Sequence, residues 1–162
     1  MNASTIHVLA GADRFHVLHQ AFGLKPIDFK VSGQDSDGRF FIIEQTNSRL
    51  GGPPRHIHHE QEEWFYVLEG EYVIEVGETT YHLRQGDSVL APRAIPHVWA
   101  CEGSGHGRIL ITFQPAGQME AFFEESTQLD SLPPRAELVS LFARHGMELV
   151  GPPLNVTTAE TL

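Results

Sequence analysis

Cysteine is almost absent from this 162-residue chain: Cys101 is its only one, so no internal disulfide can form and a reducing compartment suits it. Lysine is nearly as scarce, with only Lys25 and Lys30. The 11 basic residues face 21 acidic ones, and a formal net charge of −10 excludes the basic face that nucleic-acid phosphates require. No apolar run approaches the ~20 residues of a membrane span. The N-terminus lacks the basic start and apolar core of an export signal. These absences predict a cytoplasmic protein with no nucleic-acid and no membrane partner.

What is present is ordinary for a globular chain, 41% hydrophobic and 20% charged, and the length predicts one domain spanning residues 1–162. Short β-prone runs separated by turn residues fill most of it. Thr5 to Leu9 reads as a short strand. Ile27 to Val31 and Arg39 to Thr46 read as strands paired about the Asp35-Ser36-Asp37-Gly38 turn. That turn lacks the later ligands of a calcium loop. Trp64 to Glu69 and Glu71 to Val76 read as a hairpin through Gly70, followed by Thr79 to Leu83, Ser88 to Ala91, His97 to Cys101 and Arg108 to Gln114. Many short strands at regular spacing predict an antiparallel sandwich or barrel over about residues 5–115. From about 116 to 150 the pattern turns helical. Met119, Phe122 and Phe123 share one face of Gln118 to Ser126, and Leu138, Leu141 and Phe142 share one face of Pro134 to His145. These helices are expected to pack on the outside of the barrel, with the chain from about Gly151 fraying or lying on the surface.

Chemistry concentrates in two blocks. In Gly51-Gly52-Pro53-Pro54-Arg55-His56-Ile57-His58, the two histidines are two apart, so on a strand both imidazoles leave from one face. Glu63 opens the next apolar run and can add a hard oxygen donor, and His97 opens another run after the Pro92 to Pro96 turn. Alternation turns His59 away from this set. Four donors from three strands converge only if the sheet closes on itself. The other histidines, His7, His16, His19, His82, His106 and His145, read as surface or satisfied core residues.

These blocks resemble the two signature motifs of the cupin superfamily. The first reads Gly51-x4-His56-x-His58-x4-Glu63-x6-Gly70 and the second Gly86-x5-Pro92-x-Ala94-x2-His97-x3-Cys101. Three positions depart from the family pattern: Gly51 is one residue nearer the first histidine, Ala94 stands where glycine is usual, and Cys101 where asparagine is usual. Pro-Pro-x-His-x-His and Trp-Phe-Tyr-Val-Leu-Glu-Gly are similar to the small one-domain bacterial cupins called quercetinase-like. The resemblance implies an all-β jelly-roll barrel with a short C-terminal helical segment. It also implies a homodimer, in which a domain with an N-terminal strand at Thr5 to Leu9 and an exposed sheet edge pairs with a second copy that covers the edge. It further implies one divalent transition metal (Fe, Mn, Ni, Co, Cu or Zn) held by His56, His58, Glu63 and His97, with Glu63 both ligand and catalytic base.

By alternation Phe65, Val67, Tyr72, Ile74, Val76 and Trp99 line the barrel, and Cys101 points inward as a small buried hydrophobe. Trp64 and Tyr66 are pocket or interface aromatics. The expected function is a metal-dependent dioxygenase acting on a small aromatic or enolic, flavonol-like substrate. The alternatives are a redox-neutral isomerase, epimerase or lyase, and a small-molecule-binding protein. Arg55, Arg84, Arg93 and Arg108 are the basic residues near the motifs, too few for a sugar-phosphate pocket, which favours an uncharged substrate.

Overall fold

Period-two burial shapes the sheets. Along Glu62–Glu69 the residues Glu63, Phe65 and Val67 are buried while their neighbours are half exposed, and Gly107–Gln114 repeats this with Ile109, Ile111 and Phe113. In this computed structural model, which describes residues 5–22 and 25–157, eleven strands and two helices follow in order. They are β1 (His19–Ala21), β2 (Lys25–Val31), β3 (Phe41–Asn47), β4 (Pro54–His58), β5 (Glu62–Glu69), β6 (Glu71–Val76), β7 (Thr79–Arg84), β8 (Ser88–Ala91), β9 (His97–Cys101), β10 (Gly107–Gln114), α1 (Met119–Ser126), α2 (Arg135–Arg144) and β11 (Met147–Pro153). One sheet runs β1-β2-β3-β10-β5-β8 and the other β11-β4-β9-β6-β7, and every pairing is antiparallel. This is the expected all-β jelly roll with a small C-terminal helical part.

The register builds the core in rows. Phe29, Ile43, Ile111 and Phe65 lie side by side across four strands, and Ile27, Gln45, Ile109 and Val67 form the next row. From the facing sheet Tyr72 and Ile74 sit opposite Cys101 and Trp99, all buried. Val76 is only partly buried but packs against the same core. The expected inward residues, Cys101 included, are therefore where alternation puts them. The connection from β2 to β3 passes through a short 3-10 turn, Gly33–Ser36, capped by Ser32 and ending on Asp37 in the left-handed region.

Four expectations are corrected. Thr5 to Leu9 forms no strand; its apolar members find no sheet edge, and Leu9 is 65% exposed. The N-terminal segment is fastened instead by buried Asp13, which accepts hydrogen bonds from the backbone N–H groups of Phe15 and Phe29 and pairs with His19, while His19 stacks on Phe29. β5 and β6 do not form a hairpin, since β5 pairs with β10 and β8, whereas β6 pairs with β7 and β9. Gly70 is the corner at which the chain leaves one sheet for the other. The barrel does not end near 115, because β11 returns to pair with β4. Its glycine and prolines are tolerated because it is an edge strand. Finally, the helices do not merely coat the outside: Met119, Phe122, Phe123 and Phe142 face an internal cavity.

Gly70 has φ 84°, and a Cβ there would lie 2.3 Å from the His106 carbonyl oxygen. Gly70→Ala combines a left-handed backbone with a clash against main chain, so it should cost about 2–4 kcal/mol. Urea denaturation measures this directly, and a loss under about 0.5 kcal/mol would show that the corner is not strained.

Candidate metal centre

β4 carries His56 and His58 on its inward face, and β9 places His97 directly across from His56. Glu63 comes from the other sheet, at the start of β5, so the set spans both layers of the roll. All four side chains are buried, and one donor atom from each lies within 4.8 Å of the rest. Their common focus is Glu63 Oε2, which is 2.8 Å from His97 Nε2, 3.1 Å from His58 Nε2 and 3.8 Å from His56 Nε2.

Short-range contacts aim the rings. His56 Nδ1 lies 2.7 Å from the Pro54 carbonyl and His97 Nδ1 lies 3.0 Å from the Ile95 carbonyl. With Nδ1–H donating in each, both Nε2 lone pairs turn toward the focus, which is the arrangement a metal-binding imidazole needs. Both nitrogens of His58 are buried without a hydrogen-bond partner, its Nε2 lying near Glu63 but out of line for a bond. A metal ion at the focus satisfies that orphaned donor, so the residues fit a divalent cation held by three nitrogens and one oxygen.

The electrostatics agree. Burial alone would raise the Glu63 pKa, but contacts with His56, His58 and His97 hold it well below the usual carboxylate range. Burial lowers the His56 pKa. Burial also disfavours charge on His97, yet the Glu63 carboxylate outweighs it and His97 is raised. Without metal, the Glu63 carboxylate therefore favours the protonated form of His97.

Backbone features around the motifs explain their unusual positions. Gly52 passes so close to β9 that a Cβ would sit 1.8 Å from the Trp99 carbonyl oxygen. Ala94, standing in a glycine position of the resembled pattern, adopts φ 61°, the left-handed turn that favours glycine. Gly51 and Cys101 form an isolated bridge that ties the two motif blocks together.

The cluster opens on a cavity of about 350 Å³, walled mainly by apolar side chains from β1, β2, β10, the two helices and β11. His59 is excluded, exposed and paired with Glu148. His82 and His145 pair with Glu102 and Glu125, and His7, His16 and His106 are exposed. Arg55, Arg84, Arg93 and Arg108 are each engaged by Glu75, Glu71, Glu62 and Glu44 and leave the cavity unclaimed. Sequence reasoning missed Gln45 and Arg49, which do line it, and the helical aromatics; the inward register of β3 was the available signal for Gln45.

A jelly-roll barrel whose two sheets focus three imidazoles and a carboxylate on one point defines a class of small β-barrel with a metal-ready centre. Residues 50–113 match the family profile described as cupin domain, which takes in all four clustered residues. That match covers the segment carrying both motif blocks, and the fold agrees with it. No curated protein shows significant sequence similarity to the chain. Among solved structures, an RmlC-like cupin from Shewanella frigidimarina is similar at 20% identity and TM-score 0.57, over 74% of this chain and 99% of that one. KdgF from Halomonas sp. aligns at 17% identity and TM-score 0.53, over 62% and 87%. TT1209 from Thermus thermophilus aligns at 22% identity and TM-score 0.51, over 57% and 85%. At such identities the likeness establishes the fold.

Two outcomes follow. His56→Ala and His97→Ala should each stay folded but lose most bound divalent metal, read by elemental analysis; full retention in both would remove the centre. Metal uptake also competes with protonation of His97. Because that pKa lies above its ordinary 6.5, affinity should climb as pH rises through and beyond 6.5, then level off. Competitive metal titrations from roughly pH 5 to roughly pH 8 measure the slope, and a flat profile would contradict it.

Proposed function

We propose that the chain is a metal-dependent enzyme of dioxygenase type, quercetinase-like in its chemistry, acting on a small aromatic or enolic substrate. The observation supporting this best is that His56, His58 and Glu63, which His97 completes as a buried cluster, line an apolar, aromatic-walled cavity large enough for a flat ligand. A divalent transition metal held by these four residues supplies Lewis acidity and, if redox-active, the electron exchange that dioxygen chemistry needs.

The rest falls to the chain's own side chains. Phe113, Phe122, Phe123 and Phe142 bind a flat ring and exclude water from the reacting end. The Pro54 and Ile95 carbonyls keep the His56 and His97 rings fixed throughout. Glu63 Oε2 takes the proton of the substrate hydroxyl. A carboxylate held as an anion by its neighbours accepts protons only from acidic hydroxyls, which suits an enol better than a simple alcohol. Dimerisation belongs to the same proposal. β8 is a sheet edge, and Trp64, Tyr66 and half-exposed Leu90 give that sheet apolar outer surface. A monomer by light scattering at micromolar protein would overturn the assembly.

The deciding experiment pairs elemental analysis with oxygen uptake on a flavonol. Iron, manganese, nickel, cobalt or copper with stoichiometric oxygen consumption supports the reading. Zinc alone without oxygen uptake moves the chain to redox-neutral Lewis-acid chemistry. Metal-saturated Glu63→Gln should still bind the substrate but turn over more slowly, by roughly 10²–10⁴. Near-normal turnover in that variant would remove the base role.

A further inference from the structure

The cavity has a second polar end. Gln45 lies in the inward row Ile27, Gln45, Ile109 and Val67, two inward rows along from the row of Phe41, Phe113 and Glu63. Four residues of strand put that end roughly 13 Å from the cluster along the strand direction. Gln45 is 5% exposed, lines the cavity, and makes no side-chain hydrogen bond among the described residues. An amide bordering a ligand-sized space without a protein partner is free to hydrogen-bond what enters it. Four residues on, Arg49 lines the same cavity where it reaches the surface. Arg14, Arg55, Arg84, Arg93, Arg108 and Arg144 are all paired with acids. Arg39, Arg49 and Arg135 have no carboxylate partner among the described residues, and of the three only Arg49 lines this cavity.

We propose that Gln45 and Arg49 form the recognition end of this cavity and that the ligand is an elongated flat aromatic carboxylate. Its hydroxyl-bearing end lies at Glu63, and its carboxylate is held by the Arg49 guanidinium and the Gln45 amide N–H. The assignment rests on the proposed function for the cluster end only. It replaces the expectation of an uncharged substrate, which considered arginines that are all occupied elsewhere. Arginine suits the task because its fork matches a carboxylate and its charge is constant at any working pH.

Two matched fluorescent probes test it, 3-hydroxyflavone and 4′-carboxy-3-hydroxyflavone, titrated into the metal-loaded protein and into the chelator-treated protein. The carboxylate should bind about tenfold more tightly than the neutral probe in both. Arg49→Met should abolish that preference without changing affinity for the neutral probe, and Arg49→Lys should restore part of it. Gln45→Leu should leave the melting temperature unchanged or higher while weakening the carboxylate probe. Equal affinities in the unmodified protein, a preference that survives Arg49→Met, or failure of both probes to bind would each overturn the proposal. A preference seen only with metal would place the carboxylate at the cluster and overturn it too. If metal changes neither affinity while the preference persists, the chelating end of the proposed function fails and the recognition end stands.

Discussion

A carboxylate only 2% exposed, set inside an apolar barrel, is the constraint on which the rest of this structure depends. An isolated buried anion costs several kcal/mol, and it persists only where compensating donors are held in place. Glu63 receives them from the opposite sheet, through the His56 to His97 register of β4 and β9. The two rings that anchor this register are oriented by carbonyls only two residues upstream, so their aim is local and survives small movements elsewhere. The remaining ring, His58, has no such anchor and no hydrogen-bond partner. The cluster is therefore compensated in charge but incomplete in hydrogen bonding. That is the state expected of a centre whose last partner is a cation.

Apolar burial around this focus separates two jobs. One group of residues makes the barrel: the Phe29, Ile43, Ile111 and Phe65 row would be needed whatever the chemistry. Another group makes the cavity. Met119, Phe122 and Phe123 on α1, Phe142 on α2 and Met147 on β11 close the open side of the roll beside His56 and His58. His56 and Phe142 meet edge to face at 5.7 Å, and Phe122 and Phe142 at 5.0 Å, so the helices are coupled directly to the cluster. A change in how α1 or α2 packs alters the reacting end without touching a donor atom.

The donor set was legible because it follows from strand alternation. His56 and His58 share parity, and Glu63 and His97 each open an apolar run. The inward places of Phe65, Tyr72, Ile74 and Trp99 were legible for the same reason. Long-range pairing was not. Nothing local distinguishes a hairpin at Gly70 from a corner between sheets, because the turn residue and the flanking alternation are the same in both. β11 was hidden by Gly151, Pro152 and Pro153, which signal a strand's end except at an edge. The helical face of Met119, Phe122 and Phe123 was visible, but periodicity states that a face is buried and not what it is buried against. Thr5 to Leu9 has strand-like composition and remains unpaired because no edge of either sheet meets it.

This division also bears on what the match to the cupin domain carries. The matched segment, 50–113, contains His56, His58, Glu63 and His97. Much of the cavity wall lies outside it: Phe22, Ile27, Gln45 and Arg49 come before, and α1, α2 and β11 come after. The part that resembles other proteins carries the four-residue cluster that could hold a metal. The part that does not supplies most of the apolar wall of the cavity, together with Gln45 and Arg49. Two barrels can therefore share such a cluster and differ in the cavity beside it, because two short motifs carry the four residues while the wall is assembled from segments before and after them.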